Sequence, residues 1–107
     1  MEKAVNITLN DQLNKDIIAI LLFGSHADRT NTPRSDIDIC VVFKKDLSLK
    51  EATKFRIRNS GCMSDKIDLQ VFNVLPSKIK KEIAINHRIL YRNNEFNNIA
   101  FTTEYSK

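Results

Sequence analysis

Two short, almost purely apolar runs constrain this chain more than any other feature. Ile17-Ile-Ala-Ile-Leu-Leu-Phe23 and Ile37-Asp-Ile-Cys-Val-Val-Phe43 are rich in β-branched and aliphatic side chains. Each has strand length and falls far short of a bilayer-spanning helix. The first, over 16–23, reads as a buried central strand. The second, over 36–43, opens with alternation and becomes fully apolar, which describes a second core strand. Thirteen residues separate them, Gly24 to Asp36, beginning Gly-Ser and containing the breakers Asn31 and Pro33.

The rest of the chain is read around these two strands. Thr8 or Asn10 is expected to cap a short amphipathic helix running to about Lys15. The Ser25 hydroxyl is placed to cap a short helix starting at His26, and residues 30–34 carry turn chemistry. A helix is expected over 47–58, stopped by Asn59-Ser-Gly61, and an alternating strand over 66–72 with Asp68 and Gln70 in phase. Pro76 suits the first turn of a further helix lined by Leu75, Ile79 and Ile83, closed at Asn86-His87 in a left-handed turn. Residues 88–91 read as a short edge strand. After Asn93 the pattern fades, and residues 93–107 are expected to form a loosely ordered tail. The resulting order is α-β-α-β-α-β-α-β: one α/β domain over 1–107, with a mixed, twisted sheet of about four strands and helices mainly on one face.

Composition removes several function classes. Seventeen basic against 13 acidic residues give a net charge of +4, and 42% of residues are hydrophobic, too apolar for a disordered chain. Cys40 and Cys62 lie far apart, with neither a Cys-x-x-Cys nor a histidine at metal spacing, so they read as reduced packing thiols. With no secretory pattern at the start, the expected location is cytoplasmic. Basic residues gather in 44–58 and 78–92, whereas 24–43 holds three aspartates against two arginines. Such a balance attracts polyanions such as ATP or RNA, but it equally describes the solvated faces of surface helices.

Aspartates on strands carry more information. Alternation puts Asp36 and Asp38 on one face, with Ile37 and Ile39 turned to the core. Two carboxylates about 7 Å apart on one strand face repel unless a cation lies between them. Hard oxygen donors of this kind suit Mg²⁺ or Mn²⁺. Asp68 completes the set if its strand lies beside theirs, since three carboxylates around two metals about 3.5–4 Å apart recur in phosphoryl transfer. Upstream, Gly24-Ser25 stands between a strand and an expected helix N-terminus, where free N–H groups hold phosphate oxygens.

Taken together, Gly-Ser-His-Ala-Asp-Arg-Thr-Asn-Thr-Pro-Arg-Ser-Asp-Ile-Asp over 24–38 resembles the signature of the polymerase-β-like nucleotidyltransferases. Within that group it is most similar to the minimal nucleotidyltransferases. The likeness spans about residues 17–92 and includes Phe23, Ala27, Pro33, Lys66-Ile-Asp-Leu69, Leu75-Pro76 and Ile89-Leu-Tyr91. Two departures are Arg29, where many relatives carry glycine, and Asn86-His87, often glycine in relatives. The resemblance implies that Gly24 and Ser25 hold the β- and γ-phosphates of ATP. Asp36 and Asp38 would bind two Mg²⁺ ions (or Mn²⁺), and Asp68 would bind the second ion and help activate the acceptor hydroxyl. It further implies AMP transfer to a hydroxyl of a partner protein, with the chain acting as antitoxin to a HEPN-domain RNase toxin. At 107 residues no further domain is expected to hold the acceptor, in keeping with an acceptor presented by a partner. The alternative is a non-catalytic antitoxin that neutralises the toxin by direct binding.

Overall fold

The structure, a computed structural model, describes residues 2–24 and 36–106. The chain order is α1 (Glu2–Leu9), β1 (Ile17–Phe23), β2 (Ile37–Phe43), α2 (Leu49–Ser60), β3 (Ile67–Val71), α3 (Ser77–Ile85), β4 (Arg88–Arg92) and α4 (Asn98–Tyr105). Two single 3₁₀ turns, Asn14–Asp16 and Phe72–Val74, lead into β1 and out of β3. The helix expected at His26 and the turn at 30–34 lie outside the described residues.

The four strands form one mixed sheet in the order β3-β2-β1-β4. β1 is antiparallel to both β2 and β4, and β2 is parallel to β3. The two apolar runs are thus the two central strands, as their composition requires. The edge strands are β3, which alternates apolar and polar residues, and β4, whose residues are all exposed or half-buried. On β3 the outer edge is capped by α2: the half-buried Arg56 donates from Nε to the Leu69 carbonyl at 2.9 Å. An edge carbonyl engaged this way is a poorer template for strand addition from another chain.

Among the described residues, helices cover both faces of the sheet, two on each, rather than mainly one. Ile20, Leu22, Ile39, Val41, Leu69 and Val71 face α1 and α2, packing with Ala4, Ala52 and Phe55. Ala19, Leu21, Cys40 and Val42 face α3 and α4, packing with Ile83, Ala84 and Phe101. The reason is written in β1 and β2: apolar side chains at consecutive positions point to both faces, and each face must be buried.

Three further expectations are corrected. The first helix ends where a cap was expected to begin it. Thr8 is buried inside α1, its Oγ1 donating back to the Ala4 carbonyl at 2.8 Å. Asn59, expected as a breaker, is buried within α2 and donates from Nδ2 to the Phe55 carbonyl and to Asp11. In place of the loose tail after Asn93, residues 98–105 form α4, capped by Asn97, whose side chain accepts from the Ala100 amide at 3.1 Å. Its hold on the sheet is aromatic. Phe101 packs against Phe72, Phe96 and Tyr105 with ring centroids 4.9–5.2 Å apart.

The Asn86-His87 corner also differs. Asn86 is extended, with φ −139°, so no left-handed turn closes α3 there. Instead the His87 ring donates from Nδ1 to the Ile83 carbonyl at 2.8 Å, and Nε2 lies 2.7 Å from the Asn98 side-chain oxygen. One imidazole therefore ends α3 and joins it to the first turn of α4.

Candidate active site

Three of the sequence-predicted site residues meet at one end of the sheet. β1 ends at Phe23, which pairs with Asp38 at the start of β2. The parallel β2–β3 register then sets Asp38 directly beside Asp68. Neighbouring strands lie about 4.8 Å apart, and residues in register share a face, so the two carboxylates project side by side. Their neighbours Ile39 and Leu69 are likewise paired and turn to the opposite face, into the core. Alternation thus separates the acids from the core residues that fix their strands.

Gly24 adds a geometric requirement. Its φ is +72°, a conformation disfavoured for residues with a Cβ, and a Cβ built there would overlap Oδ2 of Asp38. The turn out of β1 therefore passes directly against the Asp38 carboxylate, and any side chain at Gly24 requires that carboxylate to shift. Asp36 is exposed and sits immediately before β2, where the ladder opens with the Ile37 amide donating to the Lys66 carbonyl at 2.7 Å. Ser25 lies outside the described residues.

A cleft of about 530 Å³ opens beside Gly24 and Asp38. Phe23, Gly24 and Asp38 form its sheet side, and α3 supplies Ile79, Glu82, Ile83 and Ile85, with Asn86 following. An apolar wall meeting a few polar groups is the usual make-up of a small-molecule site. Asp68 is exposed, and its Oδ1 accepts from the Gln70 amide nitrogen at 2.9 Å. Among the described residues, no three His, Cys, Asp or Glu side chains converge tightly enough to ligate one ion. Like charges repel at such range, and the Asp68 carboxylate is engaged by Gln70. The donor chemistry itself suits Mg²⁺ or Mn²⁺: adjacent hard carboxylate oxygens at an open rim.

The family of polymerase beta nucleotidyltransferases matches residues 4–96, nearly the whole described structure. The chain belongs to this family. It is 39% identical over 75 residues to a provisionally named protein adenylyltransferase of Methanocaldococcus jannaschii. That match takes in 70% of this chain and 56% of the relative, so the chain spans about half the length of that relative. Among solved structures, a chain of a toxin–antitoxin complex with AMP-PNP superposes with a TM-score of 0.73 at 19% identity, covering 97% of this chain and 82% of that one. A chain of the tri-AMPylated Shewanella oneidensis HEPN toxin in complex with MNT antitoxin gives 0.69 at 15% identity, covering 97% and 78%. At these identities the likeness is one of fold.

As a nucleotidyltransferase, the chain carries site features that sequence reasoning did not single out. The α3 wall of the cleft needed the packing of α3 on the sheet, which strand periodicity does not supply. Gln70 was visible as the in-phase neighbour of Asp68, but not as its hydrogen-bond donor. The cysteines stay outside the chemistry. Cys40 is fully buried on the α3–α4 face, where burial pushes its thiol far above the usual range, and Cys62 is exposed. None of the described helices is long and apolar enough to cross a membrane.

Proposed function

We propose that this nucleotidyltransferase moves AMP from ATP to a hydroxyl of a partner protein, and that the partner is a HEPN-domain RNase toxin which it neutralises. The observation that carries the reading is the Asp38–Asp68 pair, set in register, with Asp38 against the Gly24 turn where both line the cleft. The archaeal relative's name and the AMPylated toxin held with its antitoxin in a structure of the same fold support the choice of acceptor.

In this reading Asp36, Asp38 and Asp68 hold two divalent ions, which withdraw charge from the phosphates and lower the acceptor hydroxyl's pKa when bound. Gly24 and Ser25 present N–H and O–H donors to the β- and γ-phosphates. The nucleoside lies in the cleft along α3. The acceptor oxygen attacks the α-phosphorus as its bond to the bridging oxygen breaks, and pyrophosphate leaves. Asp68 takes the hydroxyl proton. Orientation supplies much of the rate, because the site does little covalent work of its own.

Incubation with labelled ATP, Mg²⁺ and a purified HEPN-domain RNase tests the reading. Label on that protein is expected, and Asp38→Asn should abolish it while the melting temperature holds. A toxin still neutralised in cells by Asp38→Asn would put direct contact in place of catalysis.

A further inference from the structure

The proposed chemistry asks Asp68 to present a carboxylate oxygen in a fixed direction, yet Asp68 lies exposed on an edge strand. An exposed aspartate rotates freely about its last torsion unless something holds it. Here something does. Two residues along β3, on the same face, Gln70 is half-buried, and its Nε2 donates to Asp68 Oδ1 at 2.9 Å. The next residue, Val71, is fully buried in the α1–α2 core, and Gln70 itself lies in register with fully buried Cys40 on β2. The backbone carrying the amide is therefore fixed on both sides by packed residues.

From this geometry we infer that Gln70 is a positioning residue for metal binding: it holds the Asp68 carboxylate through one oxygen so that the other is aimed toward Asp38. The inference rests on the proposed ligand role of Asp68. Its chemical basis is that of outer partners at metal sites in general, which set ligand orientation and whose loss commonly weakens metal binding tenfold or more. A glutamine suits the place because its amide donates without adding charge. A lysine there would neutralise the carboxylate that the ion needs, and a glutamate would repel it.

Mn²⁺ binding in the presence of α,β-methylene ATP, followed by electron paramagnetic resonance on the full chain, tests this without turnover. Four proteins are compared: wild type, Gln70→Met, Asp68→Asn and the double variant. Methionine keeps the length and bulk of glutamine and removes the donor, so the metal-free melting temperature is expected to stay within a degree or two of wild type. Gln70→Met should weaken Mn²⁺ binding about tenfold. The same change made on Asp68→Asn should have almost no further effect, because Gln70 acts through that carboxylate. Equal Mn²⁺ affinity of wild type and Asp68→Asn would remove Asp68 as a ligand, and the inference with it. A clear loss for Asp68→Asn with none for Gln70→Met would overturn the inference alone and leave the site intact. Additive losses in the double variant would also overturn it, since Gln70 would then act by another route.

Discussion

At Gly24 a single missing side chain decides whether Asp38 can stand where it does. Two costs coincide there: a φ of +72°, and the overlap that any Cβ would make with the Asp38 carboxylate. The left-handed conformation alone costs about 1–2 kcal/mol for a residue with a Cβ. Gly24→Ala is therefore expected to lower stability by at least that amount, read as a shifted urea midpoint. Its larger effect should fall on function, because relief of the overlap requires Asp38 to move. Nucleotide transfer measured well below the melting temperature, where the variant is still folded, should be nearly lost. Retained transfer would mean that the Asp38 carboxylate has no fixed place against the turn. Both residues stood out in the sequence, the glycine because it ends an apolar run and the aspartate because it breaks one. Their contact did not, since it depends on Phe23 pairing with Asp38 across the β1–β2 ladder. Sequence spacing sets which residues alternate, but not the register between strands.

Between elements, one carboxylate ties the first helix to the second. Asp11, just past α1, accepts from Arg58 Nε and Nη2, each at 2.9 Å, from Asn59 Nδ2 at 3.1 Å and from the Leu13 amide at 3.0 Å. Burial works to raise the Asp11 pKa, but the bonds from Arg58, Leu13 and Asn59 outweigh it and hold the carboxyl below its usual range. A carboxyl whose pKa is lower in the folded state contributes stability above its unfolded value. That contribution is lost as pH falls through the folded value. Asp11→Asn should accordingly cost about 1–2 kcal/mol at pH 6, a modest figure because Arg58 is partly solvent-exposed. The gap between variant and wild type should narrow as urea melts are repeated from pH 5 toward pH 3. A gap independent of pH would show that the charge on Asp11 contributes nothing. At the other end of the chain, Phe101→Ala is expected to cost about 3–5 kcal/mol and to release α4, seen as lost helical circular dichroism. Neither device was legible in the sequence, for different reasons. The Asp11 clasp joins residues 47 and 48 positions apart. In α4, Ile99 is 80% exposed while Phe101 is buried, so the apolar residues follow no single helical face. At the start of α2 the structure closes a capping box: Ser48 Oγ accepts from the Glu51 amide at 3.1 Å, and the Glu51 carboxylate accepts from the Ser48 amide at 3.4 Å.

Across the whole molecule, the sheet order explains why the proposed site needs help from outside. The acids lie where β2 and β3 begin, on the face that α3 and α4 cover, and the buried strand residues on that face come from β1 and β2. Packing there stops short of Asp68, which is exposed on β3 beside Asp38, the acid that lines the cleft walled by α3. Strand types and the existence of a mixed sheet could be inferred from the apolar runs and the alternation around Asp68. Cover on both faces could have been read from the same runs, because consecutive apolar residues in β1 and β2 have no polar face to offer water. An open rim has an energetic consequence. Water screens the attraction between phosphates and any ions held by Asp38 and Asp68, so ATP should bind weakly to the chain by itself. A partner seated over the Asp68 side would displace that water and strengthen each of those charge interactions without adding a contact to the nucleotide. Titration calorimetry with a non-transferable ATP analogue and Mg²⁺ should therefore give an affinity tenfold or more tighter once the partner is added at saturating concentration. The analogue matters because turnover would otherwise deplete the ligand during the titration. Equal affinity with and without the partner would mean that the cleft is already complete, and that the acceptor is a small molecule or a nucleic acid entering from solvent.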